Sequence, residues 1–154
     1  MTTEREQMDM SFKEKSTWGL LLGIVAVSVF YFPRALHAVD VSGSSGPLIG
    51  LSIAGVIALI VFQVIYHSLI AASARGHVEE DERDKLIDLK AERLAGFALG
   101  FVLFWIIGRI IVTTIRPEFP EPSVLLVAVW LLAALTASEI VKLIAVIAHY
   151  RLGS

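Results

Sequence analysis

The chain has 154 residues, of which 56% are hydrophobic and 18% are charged, and its mean hydropathy is +0.74. A soluble domain of this length has too little interior to bury so much apolar surface, and soluble domains are usually about a quarter charged. The composition therefore excludes a soluble enzyme, a DNA-binding module and a disordered tail, and predicts a protein of the lipid bilayer. The net charge of −2 gives no basic field for nucleic acid. The absence of cysteine excludes disulfides and thiolate metal sites.

Four apolar stretches follow one another along the chain, and a spanning helix needs about 20 mostly apolar residues. We predict an all-α polytopic membrane protein with four transmembrane helices, at about 17–38, 48–74, 94–115 and 123–147. Residues 1–16 then form an N-terminal tail, and residues 17–150 form the transmembrane domain. Because the tail is not net positive, we expect the first stretch to be a spanning helix and not a cleaved signal peptide.

Lysine and arginine are distributed unequally between the two sides that this arrangement creates. Nine of them lie in the N-terminal tail, in the hairpin 75–93 between the second and third spans, and at the C-terminus. Only Arg34 and Arg116 lie in the other two connections. Since cytoplasmic loops carry the excess of basic residues, we predict a multi-pass protein of the plasma (inner) membrane with both termini in the cytoplasm.

The hairpin 75–93 contains an acidic run followed by a basic one. This is the order that a helix dipole favours, so we predict a helix from about Glu80 that continues into the third span. Such a helix extends the third span by about 20 Å into the cytoplasm. The candidate interaction motif in this segment consists of Asp81, Glu82, Arg83, Asp84, Lys90 and Arg93.

Three interpretations of this segment remain open. It is a solvated helix start with intrahelical ion pairs, or a docking surface for a cytoplasmic partner or another copy, or a divalent-cation site. The cation site would use residues that helical spacing places on one face, namely His77, Glu80, Asp81 and Asp84. Acidic helix starts are common without a metal, so we predict no metal ligand.

The order Asp81-Glu82-Arg83-Asp84, then Ile87, Lys90-Ala91 and Arg93, resembles the signature of a family of small bacterial and archaeal membrane proteins of unknown function. Proteins of that family are predicted to have about four spans, with this acidic-basic segment entering the third. The resemblance therefore implies a four-span fold. It implies no activity, because none is established for the family.

Four polar residues lie within two of the predicted spans at matching depths. Gln63 and His67 are about 22 and 28 Å from the outer boundary, and Glu139 and Lys142 are about 22 and 27 Å from it. We predict that these four form one polar cluster in the cytoplasmic half of the bundle. Three interpretations of the cluster remain open. It is structural, with Glu139 and Lys142 neutralising each other, or it is a proton or ion relay. In the third, Lys142 simply extends to the inner surface of the membrane.

A single charge, Arg109, lies in the outer half of the third span, about 9 Å from its edge. The long side chain reaches the outer headgroups, Glu118 or Glu121, or it belongs to a buried anion site. An aromatic stripe along the same span favours lipid contact or packing over a cofactor slot, and comprises Phe97, Phe101, Phe104 and Trp105.

Two pairs of glycines, each separated by three residues, mark faces at which helices can approach closely. Gly19 and Gly23 begin the first span, and Gly96 and Gly100 begin the third. Both pairs lie at the predicted cytoplasmic ends of their spans, so we predict helix packing there.

The sequence lacks the short motifs of nucleotide-binding proteins, hydrolases and zinc proteases. No catalytic residue is predicted, and no cofactor is predicted because His67 and His149 differ too much in depth to hold a haem. We predict a small integral membrane protein that associates with itself or with another membrane protein. The alternative is an oligomeric channel or transporter for ions, protons or small solutes, in which several copies would be needed to enclose a path along the polar cluster.

Overall fold

The computed structural model describes residues 12–42 and 82–152 throughout, and between them residues 49, 50, 53–55, 57, 60–62, 64–66 and 68. Every element among the described residues is an α-helix, which confirms the all-α prediction for this part of the chain. The helices are α1 (Phe12–Ser42), α2 (Ile53–Tyr66, described in part), α3 (Glu82–Ile115) and α4 (Val124–Leu152).

Three of these helices, α1, α3 and α4, are long and apolar enough to cross a membrane. The most apolar windows of α3 and α4 have mean hydropathies of 2.2 and 2.3, and that of α1 reaches 1.8. With 34 residues, α3 is about 50 Å long, whereas the hydrocarbon core of a bilayer is about 30 Å thick. The third helix therefore has the length for a span and an extension beyond it.

Charges and a cap fix the ends of α3 and α4. Glu82 and Asp84 lie in the first turn of α3, and His149 and Arg151 lie in the last turn of α4. These positions match the sign of the helix dipole at each end. At the other end of α4, the backbone N–H of Leu126 donates to the Ser123 hydroxyl at 3.1 Å, which is a typical N-terminal cap.

The helix α4 packs against both α1 and α3. Its contact with α1 buries two groups of side chains, Leu21, Ile24, Leu143 and Ile147 near one end and Tyr31, Ala35 and Val129 near the other. Its contact with α3 buries Ile87, Ala91, Ala145 and Val146. The α3–α4 neighbourhood follows from the short connection between the two helices, in which three prolines prevent the helix from continuing.

Candidate functional site

Charged side chains from three helices meet at the end of the bundle where α1 and α3 begin and α4 finishes. We call this region the charged end. Among the described residues, the polar contacts that join α4 to its neighbours at this end include Arg151 Nε to Glu14 Oε1 at 3.1 Å, Tyr150 OH to Asp84, and Lys142 Nζ to Glu92 Oε1 at 3.1 Å, and further along the helices Ser138 Oγ donates to the carbonyl of Ala95 at 3.0 Å. Since every contact includes a residue of α4, this helix connects α1 to α3.

The contact with α1 is between one buried charge and one exposed charge. The Glu14 side chain is 10% exposed and that of Arg151 is 58% exposed. The Arg151 guanidinium also lies 5.5 Å from the centre of the Trp18 ring. A buried carboxylate is costly without a cation, and arginine can pair with it while stacking on an aromatic face. The contact therefore holds the start of α1 against the end of α4.

The contact with α3 combines a hydrogen bond with a small apolar core. Tyr150 donates its hydroxyl proton to Asp84, and the apolar residues next to this bond are Ile87 and Ala91 on α3. Ile87 is only 2% exposed and packs with Val146 on α4. The first turns of α3 are thus attached to α4 along one face and are not solvated on all sides.

The predicted interaction motif is divided by this packing. Asp84 faces α4, whereas the other described members are exposed, namely Glu82, Arg83, Lys90 and Arg93. Asp81 lies outside the described residues, as do His77 and Glu80 of the cation-site interpretation. Within the described part of the chain, no group of three or more His, Cys, Asp or Glu residues is placed to hold a metal.

The predicted polar cluster falls partly outside the described residues, which include neither Gln63 nor His67. Of the other two members, Lys142 turns toward α3 and pairs with Glu92. Glu139 is exposed, and its carboxylate forms no hydrogen bond or salt bridge with a described residue. Glu92 was missed by the sequence reasoning, because only the antiparallel packing of α3 on α4 brings it to Lys142.

The lone charge of the predicted third span, Arg109, lies near an aromatic ring. The Arg109 guanidinium is 5.9 Å from the centre of the Phe119 ring, in the connection that follows α3. Of the two acids considered for it, Glu118 pairs with Arg116 at 3.5 Å, and Glu121 lines a small cavity. Arg109 therefore points toward the connection between α3 and α4.

The two glycine pairs have different surroundings. In α1, Gly19 contacts the ring of Tyr66 and Gly23 contacts the ring of Phe62, and these two rings of α2 stack with their centres 5.7 Å apart. In α3, nothing lies within 4 Å of the position that a Cβ would occupy at Gly96 or Gly100. The first pair is therefore packed against side chains of α2, whereas the second pair has room for an added side chain or a partner helix.

The open glycines belong to a long exposed surface of α3. Ala91 and Ala95 face α4, and residues two positions away are turned by about 200° to the opposite side. We call this side the α3 outer face; its exposed members include Leu86, Leu89, Arg93, Gly96, Phe97, Gly100, Phe101, Phe104, Ile107, Ile111 and Ile115, and the exposed charges Glu82 and Lys90 lie on the same side. Trp105 lies at its margin, with its ring 5.7 Å from that of Trp130 on α4.

Leu86 and Leu89 are members of the α3 outer face that the sequence reasoning missed. Leu86 and Leu89 are 58% and 63% exposed and precede the predicted third span. Their spacing with Arg93, Gly96 and Gly100 alternates three and four residues, which is the repeat of a helix that packs along one seam. This spacing could have shown from the sequence that Leu86 and Leu89 share a face with the two glycines.

No family model, no curated protein and no solved structure matches this chain. The resemblance based on the Asp81–Arg93 motif therefore stays a prediction.

Proposed function

We propose that the chain is a small integral membrane protein that acts by association with itself or with a larger membrane assembly. In this proposal it crosses the plasma (inner) membrane four times, with α2 within the second span. Both termini and the charged end lie in the cytoplasm. The α3 outer face is the associating surface, and no catalytic step is assigned.

The observation that supports this proposal is the exposure of Leu86 and Leu89. Lipid accounts for the exposure of Phe101 and Phe104, since apolar side chains in a span are solvated by acyl chains. It does not account for two leucines located before the span, because exposed apolar surface in water is unfavourable and marks interaction sites. The leucines continue the face formed by Gly96 and Gly100, so a partner helix could cover all of these residues together.

Replacing both leucines by glutamine (Leu86→Gln and Leu89→Gln) should weaken association without unfolding the protein. Each side chain is more than half exposed, so little intramolecular packing is lost. We expect a smaller native mass by light scattering after gentle detergent extraction, with an unchanged helical circular dichroism spectrum. Leu152→Gln is the matched control, because Leu152 is an exposed leucine at the same end of the bundle but on α4. An unchanged mass in the double variant would contradict the proposal.

The proposed topology predicts opposite accessibility for two introduced cysteines, in a chain that has none of its own. Ser44→Cys lies in the predicted outer connection, and His77→Cys lies in the cytoplasmic hairpin. A membrane-impermeant thiol reagent added to intact cells should therefore label only the cysteine at position 44. Labelling of both after permeabilisation is the control, and equal labelling in intact cells would contradict four spans with cytoplasmic termini.

Transport through Gln63, His67, Glu139 and Lys142 stays an alternative prediction. Among its four residues, Lys142 pairs with Glu92, and Gln63 and His67 lie outside the described residues.

A further inference from the structure

We infer that the associating partner is a second copy of this chain, which places its α3 outer face against α4 of the first copy and pairs its Arg93 with Glu139 there. The inference rests on the proposed function and specifies its partner. It is based on two exposed charges of opposite sign, their matching depth, and a stripe of α4 beside Glu139 that the described parts of α1 and α3 do not fully cover.

Arg93 and Glu139 are the two charges concerned. Arg93 is exposed opposite α4 and lies 5.8 Å from the centre of its own Phe97 ring. Glu139 is exposed on α4, and its nearest cation along the helix, Lys142, forms its salt bridge with Glu92 and attracts Glu139 without forming a salt bridge with it. Neither charge forms a salt bridge with a described residue of its own chain, and both lie on helices that are apolar enough to span a membrane. Glu139 lies within the predicted fourth span, where an unpaired charge is costly, and Arg93 lies directly before the predicted third span.

The contact between Ser138 and Ala95 sets the relative depth of the two charges. Its hydroxyl-to-carbonyl distance of 3.0 Å puts these residues at nearly the same level of the antiparallel helices. Glu139 is one residue from Ser138, and Arg93 is two residues from Ala95, both in the direction of the charged end. At about 1.5 Å per residue, the two charges differ in depth by about one helical turn or less.

Glu139 continues a stripe along α4 that neither α1 nor α3 covers fully. The stripe consists of Ala128, Leu132, Leu135 and Glu139, whose spacings of four, three and four residues place them on one side of the helix. Near the far end of α4, Ala128 and Leu132 line a cavity together with Ile49 of the second apolar stretch. Leu135 is 57% exposed, so the stripe opens toward Glu139.

A second copy satisfies both charges, whereas a lipid satisfies one. An anionic headgroup could pair with Arg93. The same headgroup could not pair with Glu139, because two negative charges repel each other. Copies related by a rotation axis normal to the membrane keep every residue at its own depth, so Arg93 of one copy meets Glu139 of the next at the same level. The contact joins two different surfaces, and such contacts close into a ring when the rotation permits.

Charge reversal provides the first test. Arg93→Glu alone and Glu139→Arg alone should each raise the dissociation constant for self-association about tenfold, since each places two like charges together. The double variant Arg93→Glu with Glu139→Arg should restore it. Lys85→Glu is the control for a charge reversal on α3, because Lys85 is exposed outside the α3 outer face and should leave association unchanged. Two defective single variants whose combination is equally defective would overturn the inference.

Cross-linking between differently tagged copies provides the second test and keeps both charges. Phe97→Cys in one copy and Leu135→Cys in the other lie one turn beyond the charged pair, at matching depth. A disulfide in native membranes should join the two tags. Ala137→Cys is the matched control, because Ala137 is exposed on the opposite side of α4 from Leu135 and should not cross-link to position 97.

The outcomes separate this inference from the proposed function. Cross-linking at 97 and 135 with none at 97 and 137, together with rescue by the double charge reversal, supports the inference. A stable complex that contains another membrane protein, or an oligomer without the 97–135 cross-link, overturns the inference and leaves association intact. A monomer in gentle detergent that also fails to cross-link in membranes overturns both.

Discussion

Ile87→Ala should lower the free energy of unfolding by about 2–4 kcal/mol, the range seen when a buried isoleucine is truncated to alanine. Ile87 is 2% exposed and fills the space between the first turns of α3 and the last turns of α4. Its neighbours Ala91 and Ala145 are too small to refill the cavity. The start of α3 should unfold more readily than the rest of the helix, because this segment extends beyond the predicted membrane and is held to α4 mainly through this apolar contact.

Hydrogen exchange of the backbone amides at the start of α3 measures this effect directly. We expect protection of residues 86–91 to fall while protection of α3 beyond Gly100 is retained. Lys85→Ala is the matched control, since Lys85 lies two residues before Ile87, is exposed, and lies outside the α3 outer face. Equal loss of protection in both variants would show that this segment is not attached to α4 through Ile87.

Hydropathy and charge order predicted the long helices well because both are local properties of the chain. The extension of the third span was expected from about Glu80, and the described chain is helical from Glu82 onward. Acidic residues favour a helix here because their charges stabilise the helix dipole. Helix type and approximate ends therefore needed no knowledge of the other helices.

The partners at the charged end could not be predicted in the same way. The sequence predicted that Lys142 and Glu139, three residues apart on one helix face, neutralise each other; Lys142 interacts electrostatically with Glu139, but it forms its salt bridge with Glu92 on α3. The choice depends on the register of α3 against α4, to which small residues such as Ala95 and Ala145 and the contact from Ser138 contribute. Similarly, nothing in the order of the motif shows that Asp84 is the one of its described members that faces α4, because its partner Tyr150 lies at the far end of the next helix.

Gly23→Leu should destabilise the protein by about 1–3 kcal/mol or more, the cost of inserting a side chain into a packed contact. Gly23 is buried, and a Cβ at this position would overlap the ring of Phe62. That ring is stacked on Tyr66, which itself lies against Gly19, so it cannot turn aside without disturbing the neighbouring contact. We expect a lower midpoint in a titration with denaturing detergent and greater protease sensitivity of the segment that contains Phe62.

Gly100→Leu is the natural comparison, because the same substitution enters open space. Nothing lies within 4 Å of the added Cβ, and leucine favours a helix over glycine by roughly 0.5–1 kcal/mol, so the isolated subunit should be unchanged or slightly more stable. Its effect should appear in self-association instead, since Gly100 lies on the α3 outer face, where a leucine would hold a partner helix away. Gly23→Leu should thus lower the stability of the fold, whereas Gly100→Leu should weaken self-association. Equal destabilisation of the isolated subunit by Gly100→Leu and Gly23→Leu would contradict the conclusion that the glycine pair of α1 is packed and that of α3 is open.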